Sequence, residues 1–122
     1  MPHFSITLSS GEREWPRFRV RMMAELQTAA GERSGFASTD EKRDGVSVLR
    51  TAECDMVRVL VYVIPESLPL ERRVYVLPDF AARLCVECDG RVISDERLAI
   101  NHWGGTSVER LFDRRGIIEP QA

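Results

Sequence analysis

The sequence is poor in the residues and motifs that mark most enzyme families. It holds two histidines and three cysteines in 122 residues. It has no G-x-S-x-G, H-E-x-x-H, P-loop or G-x-G-x-x-G motif, and its carboxylates are scattered. An odd number of cysteines argues against a closed disulfide framework and is typical of a reducing compartment. We therefore expect no cofactor, and a catalytic function is the less favoured class.

Long apolar runs and a cationic leader are also missing. Residues 1–6 show no positively charged region before a long apolar stretch, and no later stretch approaches the length that spans a bilayer. The formal net charge is -2, too small to hold a polyanion at physiological salt. These features predict a cytoplasmic protein that binds neither membranes nor nucleic acid.

Lysine is almost absent, since Lys42 is the only one among 17 cationic residues. The planar arginine side chain suits bidentate contacts with carboxylate or phosphate, and a codon bias would give the same composition. Hydrophobic residues make up 43% of the chain and charged residues 30%, as in globular domains. We expect one globular domain over residues 1–122, with a mobile loop around 31–45 and a frayed tail at 117–122.

Two periodicities compete in residues 15–29. With a period of two, alternate apolar side chains over residues 18–26 point to one side, as in a strand. The strong helix formers in residues 22–30 favour a helix instead, and the strand is kept as the alternative. With a period of 3.6, one stripe of a helix holds Trp15, Phe18, Met22, Leu26 and Ala29.

Several other segments have strand patterns. Residues 57–64 are apolar on both faces and are followed by Pro65, so we expect a central strand that is hidden inside the protein or under a partner. Asp89-Gly90 predicts a hairpin turn between strands at 82–87 and 91–94. Alternation or β-branched residues predict further strands at 3–8, 46–49 and 73–77.

The C-terminal region has the pattern of a capped helix. Thr106-Ser107-Val108-Glu109 matches a capping box, and Gly116 is a typical helix stop. We therefore predict an α+β domain, in which an antiparallel sheet of five to seven strands packs against one or two helices. The alternative is a small all-β barrel with a C-terminal helix, in which residues 17–27 form a strand.

A metal site is a possibility that the sequence only partly supports. Cys85 and Cys88 have the spacing of a zinc knuckle, and Cys54 with His102 would complete four ligands. A second paired knuckle is missing, and cysteines in strands are commonly core residues. No metal is predicted.

The segment Asn101-His102-Trp103-Gly104-Gly105 precedes the predicted helix. Free backbone N–H groups at a helix N-terminus bind phosphate or carboxylate, and His102 would serve there as a donor or base. Glycines are also what a loop entering a helix requires. We take His102 and Trp103 as candidate ligand-binding residues.

A basic stripe runs along the first third of the chain, where arginines at 13, 17, 19 and 21 alternate with glutamates. Such a stripe suits phosphate binding, and it is also typical of a solvated surface whose charges pair with each other. The candidate ligand-binding residues are Arg13, Arg17 and Arg21.

Two short motifs resemble those of PilZ domains. Arg13-Glu14-Trp15-Pro16-Arg17 is similar to the family's RxxxR motif, and Asp40-Glu41-Lys42-Arg43-Asp44-Gly45 is similar to its D-x-S-x-x-G motif. Lys42 stands where the motif has Ser, and the resemblance ends at about Leu77. PilZ domains are small β-barrels that bind cyclic di-GMP, so the resemblance implies that Arg13 and Arg17 grip the phosphates and bases of that ligand.

The leading expectation for function is a non-catalytic binding or protein-interaction module, with a second copy or another protein as partner. It follows from the strand that is apolar on both faces. The competing class is a small-molecule site, either for a cyclic dinucleotide or other anion at Arg13 and Arg17, or for an enzyme substrate in a pocket near His102.

Overall fold

The protein is built from antiparallel strands. A computed structural model describes residues 2–70 and 78–118, which form nine strands and one short 3-10 turn at Trp15–Arg17. The strands are β1 (Phe4–Ser9), β2 (Phe18–Gln27), β3 (Arg33–Thr39), β4 (Val46–Arg50), β5 (Met56–Pro65), β6 (Phe80–Cys88), β7 (Arg91–Ile100), β8 (Thr106–Asp113) and β9 (Gly116–Ile117).

The strands form two sheets that pack face to face. One has four strands in the order β4-β1-β6-β7, and the other has five in the order β3-β2-β5-β8-β9. Every pairing is antiparallel, and the two sheets are not closed into a barrel. Each sheet has one face in the core and one face outside, the arrangement of a β-sandwich.

The core lies between the two sheets and takes alternate residues from each. On β5, the four valines at 57, 59, 61 and 63 are buried, while the residues between them face outward. Each fully buried aliphatic side chain contributes roughly 1.5–3 kcal/mol. At one end of the core Trp15, Phe18 and Phe80 form an aromatic cluster, with ring centroids 5.4–6.5 Å apart.

The α+β prediction is wrong, because residues 106–113 form strand β8 and not a helix. β8 pairs with β5 along its whole length, from Thr106 opposite Val63 to Asp113 opposite Met56. Its buried and exposed residues follow a period of two at both ends, so the capping-box spacing was a coincidence. Pairing with the central strand gives more of the backbone N–H and C=O groups a hydrogen-bond partner than a short isolated helix would.

The helix favoured for residues 15–29 is also wrong, and the strand alternative is correct. β2 pairs with β5 over ten residues and with β3 on its other edge. Tertiary pairing on both edges outweighs an intrinsic helix propensity of a few tenths of a kcal/mol per residue. The all-β barrel that accompanied this alternative is wrong as well, since the sheets remain separate.

The remaining strand predictions have mixed outcomes. Strands occupy the segments predicted at 3–8, 46–49 and 57–64, and β5 lies in the middle of its sheet. The hairpin turn is confirmed, with Asp89 and Gly90 at φ of 51° and 81°. The segment 31–45, expected to be a loop, contains the edge strand β3. The strand predicted at 73–77 and the end of the predicted tail, 119–122, lie outside the described residues. Over residues 2–70 and 78–118, no helix is long and apolar enough to cross a membrane.

Candidate functional site

Arg17, which the PilZ resemblance assigns to ligand binding, is buried at the end of the 3-10 turn, with 8% of its surface exposed. Its Nε donates a hydrogen bond to the Glu14 carboxylate at 2.9 Å. One Nη donates to the carbonyl of Ser67 at 2.9 Å, and the other donates to the carbonyl of His102. Its guanidinium carbon lies 4.4 Å from the centre of the Phe18 ring. The side chain therefore ties two distant loops to the start of β2.

Glu14 completes this buried network. Its carboxylate pairs with Arg17 and also accepts a hydrogen bond from the backbone N–H of Leu70 at 3.0 Å. Both charged side chains are almost fully buried, and each helps to compensate the charge of the other. The arrangement is that of a structural clamp.

Lys42 occupies the Ser position of the PilZ-like motif and packs on the other motif. Its Nζ donates hydrogen bonds to the carbonyls of Trp15, at 2.8 Å, and Phe18, and it lies 4.7 Å from the centre of the Trp15 ring. Burial lowers the pKa of Lys42, and the nearby Glu66 carboxylate opposes that shift. The Trp15 indole N–H donates to the carbonyl of Gly45 at 2.8 Å. The two PilZ-like segments thus do lie together, joined by core contacts.

The other two candidate arginines lie on different surfaces. Arg13 is exposed in the segment before the 3-10 turn, and Arg21 is exposed on the outer face of the five-stranded sheet. Arg17, which lies between them in the sequence, points into the protein. The structure therefore does not bring the three guanidinium groups together on one face. Their role in ligand binding stays a prediction.

The His102 segment forms a tight turn that closes on itself. The side-chain oxygen of Asn101 accepts hydrogen bonds from the N–H groups of Trp103, at 2.9 Å, and Gly104, at 2.8 Å. Gly105 follows at φ 68°, and a Cβ there would lie 1.9 Å from the carbonyl oxygen of Val63, so only glycine fits. The N–H groups expected to hold an anion are therefore already used, and β8 replaces the expected helix.

His102 itself is buried, with 7% of its surface exposed, against the Phe80 ring at a centroid distance of 5.3 Å. Its Nε2 lies 3.3 Å from the carbonyl oxygen of Pro78. Its Nδ1 is buried and has no hydrogen-bond partner within the described part of the chain. Trp103, by contrast, is 54% exposed. The pair predicted as a site thus divides into one core side chain and one surface side chain.

The three cysteines and His102 do not converge. Cys88 is at one end of β6, whereas His102 packs on Phe80 at the other end, roughly 26 Å away along an extended strand. Cys85 lies on the outer side of β6, and Cys54 is a buried free thiol whose pKa is raised by burial. Among residues 2–70 and 78–118, no three or more His, Cys, Asp or Glu side chains are grouped as metal ligands would be.

One shallow hollow at the sheet edge brings two arginines together. Arg83 and Arg97 are opposite each other on β6 and β7, beside Ser9, Ser10 and Gly11. The Arg83 guanidinium is held by both carboxylate oxygens of Asp95, at 2.7 Å each. That bidentate contact lowers the pKa of Asp95, so the charge of Arg83 is already balanced.

The outer face of the five-stranded sheet is the most distinctive surface. Leu60, in the middle of β5, lies beside Met23 of β2 on one side and Glu109 of β8 on the other. Ile64 is 37% exposed at one end of β5. We call this surface the outer β5 face and define it by the outward residues of three strands: Arg19, Arg21, Met23 and Glu25 on β2, Met56, Arg58, Leu60, Tyr62 and Ile64 on β5, and Ser107, Glu109 and Leu111 on β8.

Charged residues alternate with the apolar ones on the outer β5 face. Arg58 forms an ion pair with Glu109 across the β5–β8 pairing, and Arg19 lies 3.9 Å from Glu66. Since both sheets use their other faces for the core, no third layer covers this one in the described ranges. The apolar pattern of residues 57–64 predicted the β5 part of this face. The β2 and β8 parts were not predicted, because the patterns of both segments favoured helices.

Comparison with known proteins adds a loose likeness of fold. No family model and no curated protein matches the sequence. One similar solved structure is a DUF4425 family protein from Bacteroides ovatus, at 14% identity and a TM-score of 0.46 over 91% of each chain. Another is a domain of unknown function, DUF4425, from Bacteroides vulgatus, at 14% identity and a TM-score of 0.48 over 91% of this chain and 90% of that one. At these values the likeness assigns this chain neither a family nor a function.

Proposed function

We propose that this protein is a non-catalytic protein-interaction module that binds its partner through the outer β5 face. The observation that carries the proposal is the apolar character of both sides of β5. The valine side fills the core, and the side with Leu60, Tyr62 and Ile64 lies at the surface beside Met23. Aromatic residues, methionine and arginine are enriched at protein contact sites, and Tyr62, Met23 and Arg58 lie together on this face.

The polar groups elsewhere support this choice over a small-molecule site. The guanidinium of Arg17 and the N–H groups of the Asn101 turn already have partners within the protein. A site that binds an anion needs donors that are free to reach the ligand. The outer β5 face needs no rearrangement before it meets a partner.

Site-specific photocrosslinking tests the proposal. A photoreactive phenylalanine analogue replaces Leu60 in the full chain, expressed in the source organism, and a matched variant carries the analogue at Thr7 in the outer face of the four-stranded sheet. We expect the analogue at position 60 to give one adduct whose partner is identified by mass spectrometry, and position 7 to give none. No adduct at position 60, or the same adducts at both positions, contradicts the proposal.

A further inference from the structure

The β2 and β5 parts of the outer β5 face carry a charge pattern that is complementary to itself. On β2, Arg21 lies two residues before Met23 and Glu25 lies two residues after it, and all three face outward. At about 3.3 Å per residue, the two charges lie roughly 6.6 Å on either side of Met23. If a second copy is rotated by 180° so that its strands run in the opposite direction, each of these charges faces the opposite charge of the other copy.

The outward residues of β5 are also arranged in pairs about a centre, Leu60, which lies opposite Met23 of β2. Tyr62 and Arg58 lie two residues on either side of Leu60, and Ile64 and Met56 lie four residues on either side. In a second copy turned about Leu60, the ring of Tyr62 meets the guanidinium of Arg58, a favourable cation–π pair. Ile64 then meets Met56, so apolar side chains contact apolar side chains.

We propose that the partner of the outer β5 face is a second copy of this chain. The two faces stack about a two-fold axis that runs across the strands over Met23 and Leu60, so that Arg21 of each copy pairs with Glu25 of the other. This inference rests on the proposed function of the face and names its partner. Because a two-fold interface uses the same patch twice, every pair described above occurs twice in the dimer. Glu109, opposite Leu60 on β8, lies on the same axis and faces the Glu109 of the other copy, and the ion pair with Arg58 in each copy offsets that like-charge contact.

The size of the face is consistent with a specific but modest interface. Three strands at about 4.8 Å spacing and ten residues at about 3.3 Å give roughly 480 Å² in plan. Standard specific interfaces bury about 800 Å² on each partner, and smaller ones belong to weaker complexes. We therefore expect a dimer that dissociates on dilution into the low micromolar range.

Charge reversal in purified protein tests the register as well as the dimer. Arg21→Glu alone places the new glutamate of each copy against Glu25 of the other, and Glu25→Arg alone places the new arginine of each copy against Arg21 of the other. Each single variant should raise the dimer dissociation constant at least about tenfold, because like charges oppose each other at two places. An equimolar mixture of the two variants should return it to near the wild-type value, because both pairs are then opposite in sign. Arg97→Glu, on the outer face of the other sheet, is the control.

Sedimentation velocity over a range of concentrations measures each dissociation constant, and thermal melts verify that these surface variants are folded. A monomeric wild-type protein overturns the inference, and so does a dimer whose single variants are not rescued by mixing. A photocrosslink from position 60 to a different protein, together with a monomeric purified chain, overturns the dimer while the proposed function stands. The absence of any crosslink at position 60 removes both.

Discussion

Replacing Arg17 with methionine should destabilise the protein strongly, because the change removes the guanidinium that pairs with the buried Glu14 carboxylate. Methionine keeps an unbranched apolar side chain at this position and removes the guanidinium over the Phe18 ring with its three hydrogen bonds to Glu14, Ser67 and His102. Removing one partner of a buried ion pair costs about 3–5 kcal/mol. For a domain of this length the unfolding entropy is about 0.26 kcal/mol/K, so a loss of about 4 kcal/mol lowers the Tm by roughly 15 °C.

Urea unfolding followed by circular dichroism measures this loss, with the midpoint compared at constant m-value. Arg19→Met is the matched control, because Arg19 is also on β2 and its side chain is 56% exposed. We expect that variant to stay within about 0.5 kcal/mol of wild type. The double variant Glu14→Gln with Arg17→Met should be more stable than Arg17→Met alone, because it removes the buried carboxylate charge together with the guanidinium that pairs with it. A loss below about 1 kcal/mol for Arg17→Met, or equal losses for Arg17→Met and Arg19→Met, would refute the clamp.

Three further outcomes are expected. Gly105→Ala should cost more than about 3 kcal/mol in the same urea assay because its Cβ has no room, whereas Gly11→Ala, with nothing within 4 Å, should be nearly neutral. Arg83 holds the pKa of Asp95 below its ordinary value of 3.8, so this carboxylate stabilises the fold above that pH and the benefit disappears as the pH falls through the lowered value. The urea midpoints of wild type and Asp95→Asn should therefore converge in acid, and a constant difference down to the acid limit argues against the pair. Saturating cyclic di-GMP should leave the Tm unchanged because Arg17 is engaged inside the protein; a rise that Arg17→Met abolishes would favour the PilZ-like site.

The sequence predicted the strands best where the period of two was unopposed. Residues 57–64 and the hairpin at Asp89-Gly90 were found because β-branched residues, a proline and a turn dipeptide all agree there. The helix prediction for residues 15–29 was wrong because the apolar residues fit a period of 2 and a period of 3.6 equally well, and the strong helix formers favoured the helix. That propensity is worth less than the ladder of hydrogen bonds that β3 and β5 offer to β2 on its two edges.

The Arg17 network shows what no local pattern reveals. The carbonyls that Arg17 binds lie 50 and 85 residues further along the chain, at Ser67 and His102. In the sequence, a stripe of arginines has the same pattern whether the side chains are solvated, ion-paired or buried. Their burial depends on which loops fold over them. The same holds for His102, whose ring contacts Phe80 at the start of β6 and the carbonyl of Pro78 just before that strand.

The error in secondary structure also concealed the proposed interface. With residues 18–27 read as a helix, Arg21 and Glu25 are four positions apart on one helix face and simply pair with each other. In a strand they project from the same side of the sheet about 13 Å apart, too far for their own ion pair, and Met23 lies between them. The change from helix to strand therefore separates Arg21 from Glu25. It places Glu25 opposite Arg58 of β5, where it accepts a hydrogen bond from Gln27, beside the apolar residues of the outer β5 face.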